Sequence, residues 1–148
     1  MSGRMTRLTL RFLDRVAELL LHPPATAPHQ KVGTQGEDEA YFFLRGLGYV
    51  MVARNFRSPR RRGDLDLVGW DGDVLCFIEV KTRTTRDVKP AEAAVDYEKQ
   101  QELARVAREY LRHAPPLCQW RFDVLSVYYE HLSSSPRFEL FRNAFQMS

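Results

Sequence analysis

Residues 62–83, RGDLDLVGWDGDVLCFIEVKTR, carry Asp64, Asp66, Glu79 and Lys81 inside two apolar runs. Charges in such runs destabilise a fold unless they are paired or put to use. Carboxylates brought close from neighbouring strands repel, and a hard divalent cation with oxygen ligands, Mg²⁺ above all, relieves that repulsion. Lys81 follows Glu79 by two positions, so on a strand it shares its side and can hold a phosphate or help deprotonate a water. A metal with an open position beside such a lysine supplies the ingredients of phosphodiester hydrolysis. D-x-D and E-x-K pairs also occur on solvated sheet faces as cross-strand ion pairs. Their joint occurrence across one apolar hairpin is what favours a site.

The clustering depends on register. A two-residue turn at Asp71-Gly72 places Asp66 opposite Phe77 and Asp64 opposite Glu79. A four-residue turn places Asp66 directly opposite Glu79, whereas a three-residue turn separates the acids. In either even register Asp64, Asp66, Phe77, Glu79 and Lys81 share one face. Asp66 and Glu79 then lie roughly 5–8 Å apart at Cβ.

The elements that must hold these residues are legible around them. In residues 33–49, Ala40, Phe43, Leu44 and Leu47 follow helical spacing and Gly48 is placed to end the helix. VMVARNF reads as a strand, and RSPRRRG as a basic loop before DLDLVGW. A long helix is expected over 91–113, with Leu103, Val106, Ala107, Tyr110 and Leu111 as its stripe and Pro115-Pro116 as its stop. WRFDVLSVYYE and RFELFRNAF read as later strands, the second as a strand or a mixed end. The order is helix, three strands, helix, two strands, an α/β domain with helices on a mixed sheet.

Ahead of this domain, assigned to 31–148, residues 1–30 read as an appendage. It comprises a short amphipathic helix over 5–21 and the Pro/Ala-rich linker HPPATAPHQ. Asp14, Arg15 and Glu18 break any signal-peptide core, and no apolar run approaches the roughly 18 residues of a membrane span. No membrane partner is expected on that ground, and Cys76 and Cys118, without disulfide or zinc spacing, point to a reducing cytoplasm. The four histidines show no ligand spacing.

Further residues are drawn toward the acids. Glu37 sits on the apolar stripe at a helix start, where the helix dipole alone also favours it. Lys99 precedes Leu103 by four on the inward stripe, with Gln100 beside it; a lysine there also snorkels without chemistry. Arg57, Arg60, Arg61 and Arg62 precede the first acidic strand and suit phosphate contacts or a solvated loop. A net charge of +3 is compatible with a polyanion partner without requiring one.

These stretches together resemble the YraN-like family: G-x-x-G-E-x-x-A at 33–40, Gly48-Tyr49, Arg54-Asn55, R-G-D-L-D-L at 62–67, F-I-E-V-K-T-R at 77–83, Lys99-Gln100, R-F-D-V at 121–124 and Asn143-Ala144-Phe145. That family is similar to archaeal Holliday-junction resolvases and to PD-(D/E)xK nucleases. The resemblance implies a restriction-endonuclease-like fold, a mixed β-sheet flanked by α-helices, with a Mg²⁺- or Mn²⁺-dependent DNA nuclease centre. Glu37, Asp66, Glu79 and Lys81 match its core, with Gln100 as helper. Where the family usually has Glu, this chain has the shorter Asp64. On this reading Asp66, Glu79 and the Val80 carbonyl hold the metal, and Lys81 positions the water. Arg57, Arg60, Arg61, Arg62, Arg83 and Lys99 meet nucleic acid. Phosphate recognition does not set DNA apart from RNA, and a preference for junctions suits a two-fold homodimer.

Overall fold

Pro28 and Gly48 bracket the first helix. In the computed structural model, which describes residues 28–84, 95–131 and 135–146, α1 spans Pro28–Gly46. Proline is tolerated in a first turn because its missing N–H would have no helical partner. At the other end the N–H of Gly48 donates to the Arg45 carbonyl and that of Tyr49 to Leu44, both at 3.0 Å. Gly48 takes φ +97°, a left-handed stop that glycine adopts without a Cβ clash. Two expectations change here. The helix begins inside the stretch read as a linker, and Leu47, lying past the last helical residue, is 51% exposed. Tyr41 joins Ala40 and Leu44 on the buried side instead.

The chain divides into two units, Met1–Lys31 and Val32–Ser148, and the second holds every residue discussed below. The helix expected over 5–21 lies outside the described residues. No described helix is long and apolar enough to cross a membrane.

Five strands form one mixed sheet in chain order: β1 (Val50–Arg57), β2 (Asp64–Asp71), β3 (Val74–Thr84), β4 (Gln119–Tyr129) and β5 (Arg137–Phe145). All neighbours are antiparallel except β3 and β4. A parallel pair needs a crossover, and α2 (Tyr97–Leu111) lies in that connection. Its Leu103, Ala104, Val106 and Ala107 share a core with Leu65, Phe77, Phe122 and Val124. The Tyr110 ring meets Phe56 and Phe77 edge-on at 5.0 and 5.9 Å.

This helix starts later than the apolar stripe suggested. Asp96 is its N-cap, extended at ψ 168°, and its carboxylate accepts the N–H of Lys99 at 2.8 Å. That geometry ends the helix N-terminally; residues 91–94 lie outside the described ones.

The hairpin turn is also shifted by one residue. Asp71 pairs with Val74, so Gly72 and Asp73 form the turn. Gly72, at φ +58°, supplies the left-handed conformation. The resulting register is the one in which Asp66 and Glu79 occupy opposite positions, and it is even, as clustering of the acids requires.

Beneath the hairpin end a charged clasp ties distant segments together. Asp123 is fully buried and accepts from Arg121 Nε at 2.9 Å and from the Asn143 N–H at 2.9 Å. Arg121 Nη2 reaches Asp71 at 2.8 Å and the Tyr49 hydroxyl at 3.1 Å. Arg142 adds a longer contact to Tyr49, at 3.4 Å.

One glycine sets the approach of α1 to the sheet. A Cβ built on Gly36 would lie 2.0 Å from the Thr82 hydroxyl oxygen on β3, so the helix can sit this close only without a side chain there. Gly36→Ala is expected to destabilise the protein by about 1–3 kcal/mol, despite alanine's better helix propensity. Adding Thr82→Ala should recover most of the loss in chemical denaturation, a non-additivity expected only of residues in contact. Additive effects would contradict the close approach.

Candidate functional site

The backbone pairing between β2 and β3 runs from Asp71↔Val74 to Leu67↔Ile78 and stops there. The next two positions are Asp66 and Glu79. The Asp66 carboxylate instead accepts the Val80 N–H at 2.8 Å. A side chain thus takes a backbone donor from the neighbouring strand, and the carboxylate is fixed between them.

Glu79 is buried, 7% exposed. Its Oε1 lies 3.5 Å from Lys81 Nζ and 3.9 Å from Lys99 Nζ, while its Oε2 is buried without a hydrogen-bond partner. Asp66 is pushed up to about 8 from an ordinary 3.8, first by burial, then by the charge of Glu79, with the Val80 N–H opposing and Glu37 adding to the rise. A half-buried carboxyl group facing a buried one resists the ionisation of both.

Glu37 approaches from α1 one residue after the close contact at Gly36. Burial raises its carboxyl above the ordinary range; Arg54 and a hydrogen bond from Asn55 oppose this, and Asp64 adds to it. Arg54 also pairs with Asp38 and lies over the Tyr41 ring, 5.0 Å from its centroid. Asn55 takes φ +49°, a conformation asparagine tolerates better than most side chains. It stands between the Arg54↔Leu67 and Phe56↔Leu65 pairs, level with Asp66. Asp64 lies opposite Arg57 in the β1–β2 register, and its charge adds to the rise at Glu37.

The structure therefore gathers Glu37, Asp66, Glu79, Lys81 and Lys99. Lys99, expected on the inward stripe and as a nucleic-acid contact, lies near the same carboxylate oxygen as Lys81. Gln100 turns its amide nitrogen to the Val95 carbonyl at 3.0 Å and braces the entry to α2. Arg83 keeps Nε and Nη2 buried without a hydrogen-bond partner. Arg57, Arg60, Arg61 and Arg62 are exposed. Their loop is anchored by the buried Ser58, whose hydroxyl accepts the Arg60 N–H at 3.3 Å. Arg61 makes a long ion pair with Glu109 of α2, at 3.9 Å.

Among the described residues, no group of three or more His, Cys, Asp or Glu side chains is placed to hold a metal ion. Mg²⁺ does not require one: it is commonly held by one or two carboxylates, with waters and substrate phosphate completing six positions. Asp66 and Glu79 with the unpartnered Oε2 meet that requirement, and the Val80 carbonyl is the further oxygen expected from sequence.

Residues 36–127 match the uncharacterised protein family UPF0102. The chain belongs to UPF0102. Every member of the acidic and lysine cluster falls inside the matched span. A UPF0102 protein of Koribacter versatilis is 48% identical over 143 residues, covering 97% of this chain and 96% of that protein. One from Solibacter usitatus is 47% identical over 116 residues, covering 76% and 84%. One from Clostridium kluyveri is 34% identical over 120 residues, covering 80% and 97%.

Sequence spacing did not assign roles to Arg54 and Asn55 of this UPF0102 chain. The signal available was an arginine and an asparagine inside the apolar strand VMVARNF, where asparagine is a poor strand former.

The raised Asp66 value fixes the sign of a pH effect. The folded chain holds a proton up to about 8, whereas the ordinary carboxyl value is 3.8. This contribution is fully present below the lower value, declines through the interval and is lost above the upper one. Without divalent metal, the melting temperature should fall between about pH 4 and about pH 8. Asp66→Asn keeps an oxygen for the Val80 N–H but cannot ionise, so it should flatten the decline and melt higher than the wild type at the alkaline end. Parallel profiles in thermal scans would place the proton elsewhere.

Proposed function

We propose that the domain is a Mg²⁺- or Mn²⁺-dependent phosphodiesterase acting on DNA, built on a restriction-endonuclease-like fold. The observation that carries this reading is the buried Glu79 beside the half-buried Asp66, with one Glu79 oxygen unpartnered and lysines on the other. A bound divalent cation would supply Lewis acidity and neutralise charge developing on the phosphate. Asp66, Glu79 and the Val80 carbonyl would hold it. Lys81 orients the attacking water toward phosphorus, and the opposite P–O ester bond breaks. Glu37, braced by Asn55 and Arg54, orders water on the acidic side. The arginine loop draws in the backbone by charge, and the unpaired Arg83 donors suit a phosphate near the centre. Cutting both arms of a branched DNA needs two centres, which a two-fold dimer would provide.

Purified protein should cut linear, flap or four-way-junction DNA only with Mg²⁺ or Mn²⁺. Lys81→Ala should lower the rate about 100-fold or more; cutting that persists in this variant would mark a contaminant. Binding without cutting by the wild type would instead favour a nucleic-acid-binding or assembly module on the same fold.

The loop offers a separate measurement. In the presence of non-catalytic Ca²⁺, replacing Arg60 and Arg61 with Ala should make the plot of log affinity against log salt shallower by about one per arginine. An unchanged slope would remove these residues from the interface.

A further inference from the structure

Lys99 occupies a position that helix physics disfavours. With Asp96 as N-cap, it is the third residue of α2, and its own N–H is the one the cap accepts. At this position a glutamate or glutamine would complete a capping box, and the positive end of the helix dipole repels a cation. Glu98 beside it follows the rule and is exposed. Lys99 breaks the rule and turns inward, its side chain 31% exposed, to within 3.9 Å of Glu79 Oε1. Local rules are commonly broken where a site needs the residue.

The two lysines reach the same oxygen from different elements, Lys81 at 3.5 Å from β3 and Lys99 at 3.9 Å from α2. Both distances exceed the roughly 2.7–2.9 Å of a tight charge-assisted hydrogen bond. Neither ammonium is locked onto the carboxylate, and both retain solvent access through which an incoming anion can meet them. The cap fixes the backbone of Lys99, so its side chain starts from a set point. The helix N-terminus adds its own favourable field for an anion.

We propose that Lys99 is a second lysine of the phosphate site, holding with Lys81 the non-bridging oxygens of the phosphodiester that is cut. The assignment rests on the phosphodiesterase reading above, and it takes Lys99 from a general nucleic-acid contact to the reacting group.

Lys99→Gln and Lys99→Arg test it in two arms. In DNA cleavage with Mg²⁺ or Mn²⁺, Lys99→Gln should lose about 100-fold in rate, and Lys99→Arg should recover part of that loss. In the metal-free protein, titration with inorganic phosphate by calorimetry should show about tenfold weaker binding for Lys99→Gln. The melting temperature of Lys99→Gln should equal or exceed that of the wild type, because a cation has left the first turn; a variant that melts lower points to a structural lysine and overturns the assignment. So does either arm left unmoved in an active wild type. A wild type that cuts no DNA, yet binds phosphate in a Lys99-dependent way, sinks the nuclease reading and retains Lys99 as a phosphate ligand. If the wild type does neither, both readings fail.

Discussion

The Asp66 carboxylate accepting the Val80 N–H is the contact from which the rest of the site follows. An antiparallel pair ordinarily continues its backbone ladder to the strand ends. Here the ladder stops at Leu67 and Ile78, and a side chain supplies the next acceptor. The substitution leaves Val80 satisfied while bringing Asp66 beside Glu79. The sheet thereby hosts two mutually repelling groups without an orphaned backbone donor, which would be a separate cost. Everything charged around them can be read as a response to that placement.

The response comes from three directions. β1 contributes Asn55 in a left-handed conformation and Arg54, which brace Glu37 and Asp38 of α1. α1 can deliver Glu37 because Gly36 has no side chain to meet Thr82. α2 delivers Lys99 from a capped first turn. Rigid elements, rather than loops, carry the acids and lysines, and this is the arrangement that holds charged groups most accurately. The apolar side chains of α2 and β3 do the stabilising work that the acidic cluster does not.

Much of this was readable from residue types and spacing, and what was missed has a common cause. The acids cluster because an even register preserves the alternation of faces, so their proximity survives a turn displaced by one residue. Among the described residues, the five strands and the two helices stood out through apolar periodicity and the glycine stop at Gly48. Periodicity says which face a residue occupies but not what lies across from it. Lys99 was placed on the inward stripe, yet its partner Glu79 lies on another element. Arg54 and Asp38, 16 positions apart, meet only after α1 packs on the sheet. The later start of α2 escaped notice because the cap at Asp96 competes with a run of residues that would otherwise continue a helix.

The charged clasp around Asp123 bears on the order in which the molecule assembles. Arg121 is bound to Asp71 and Tyr49, 50 and 72 positions away, and Asp123 to the N–H of Asn143, 20 positions later. Closing such separations sacrifices chain entropy before any contact returns it. The buried carboxylate of Asp123 receives its backbone donor only once β5 has been synthesised and has joined β4. Until β5 joins β4, Asp123 has Arg121 of its own strand but lacks the Asn143 N–H, so one bond of this buried acid depends on the last strand in the chain.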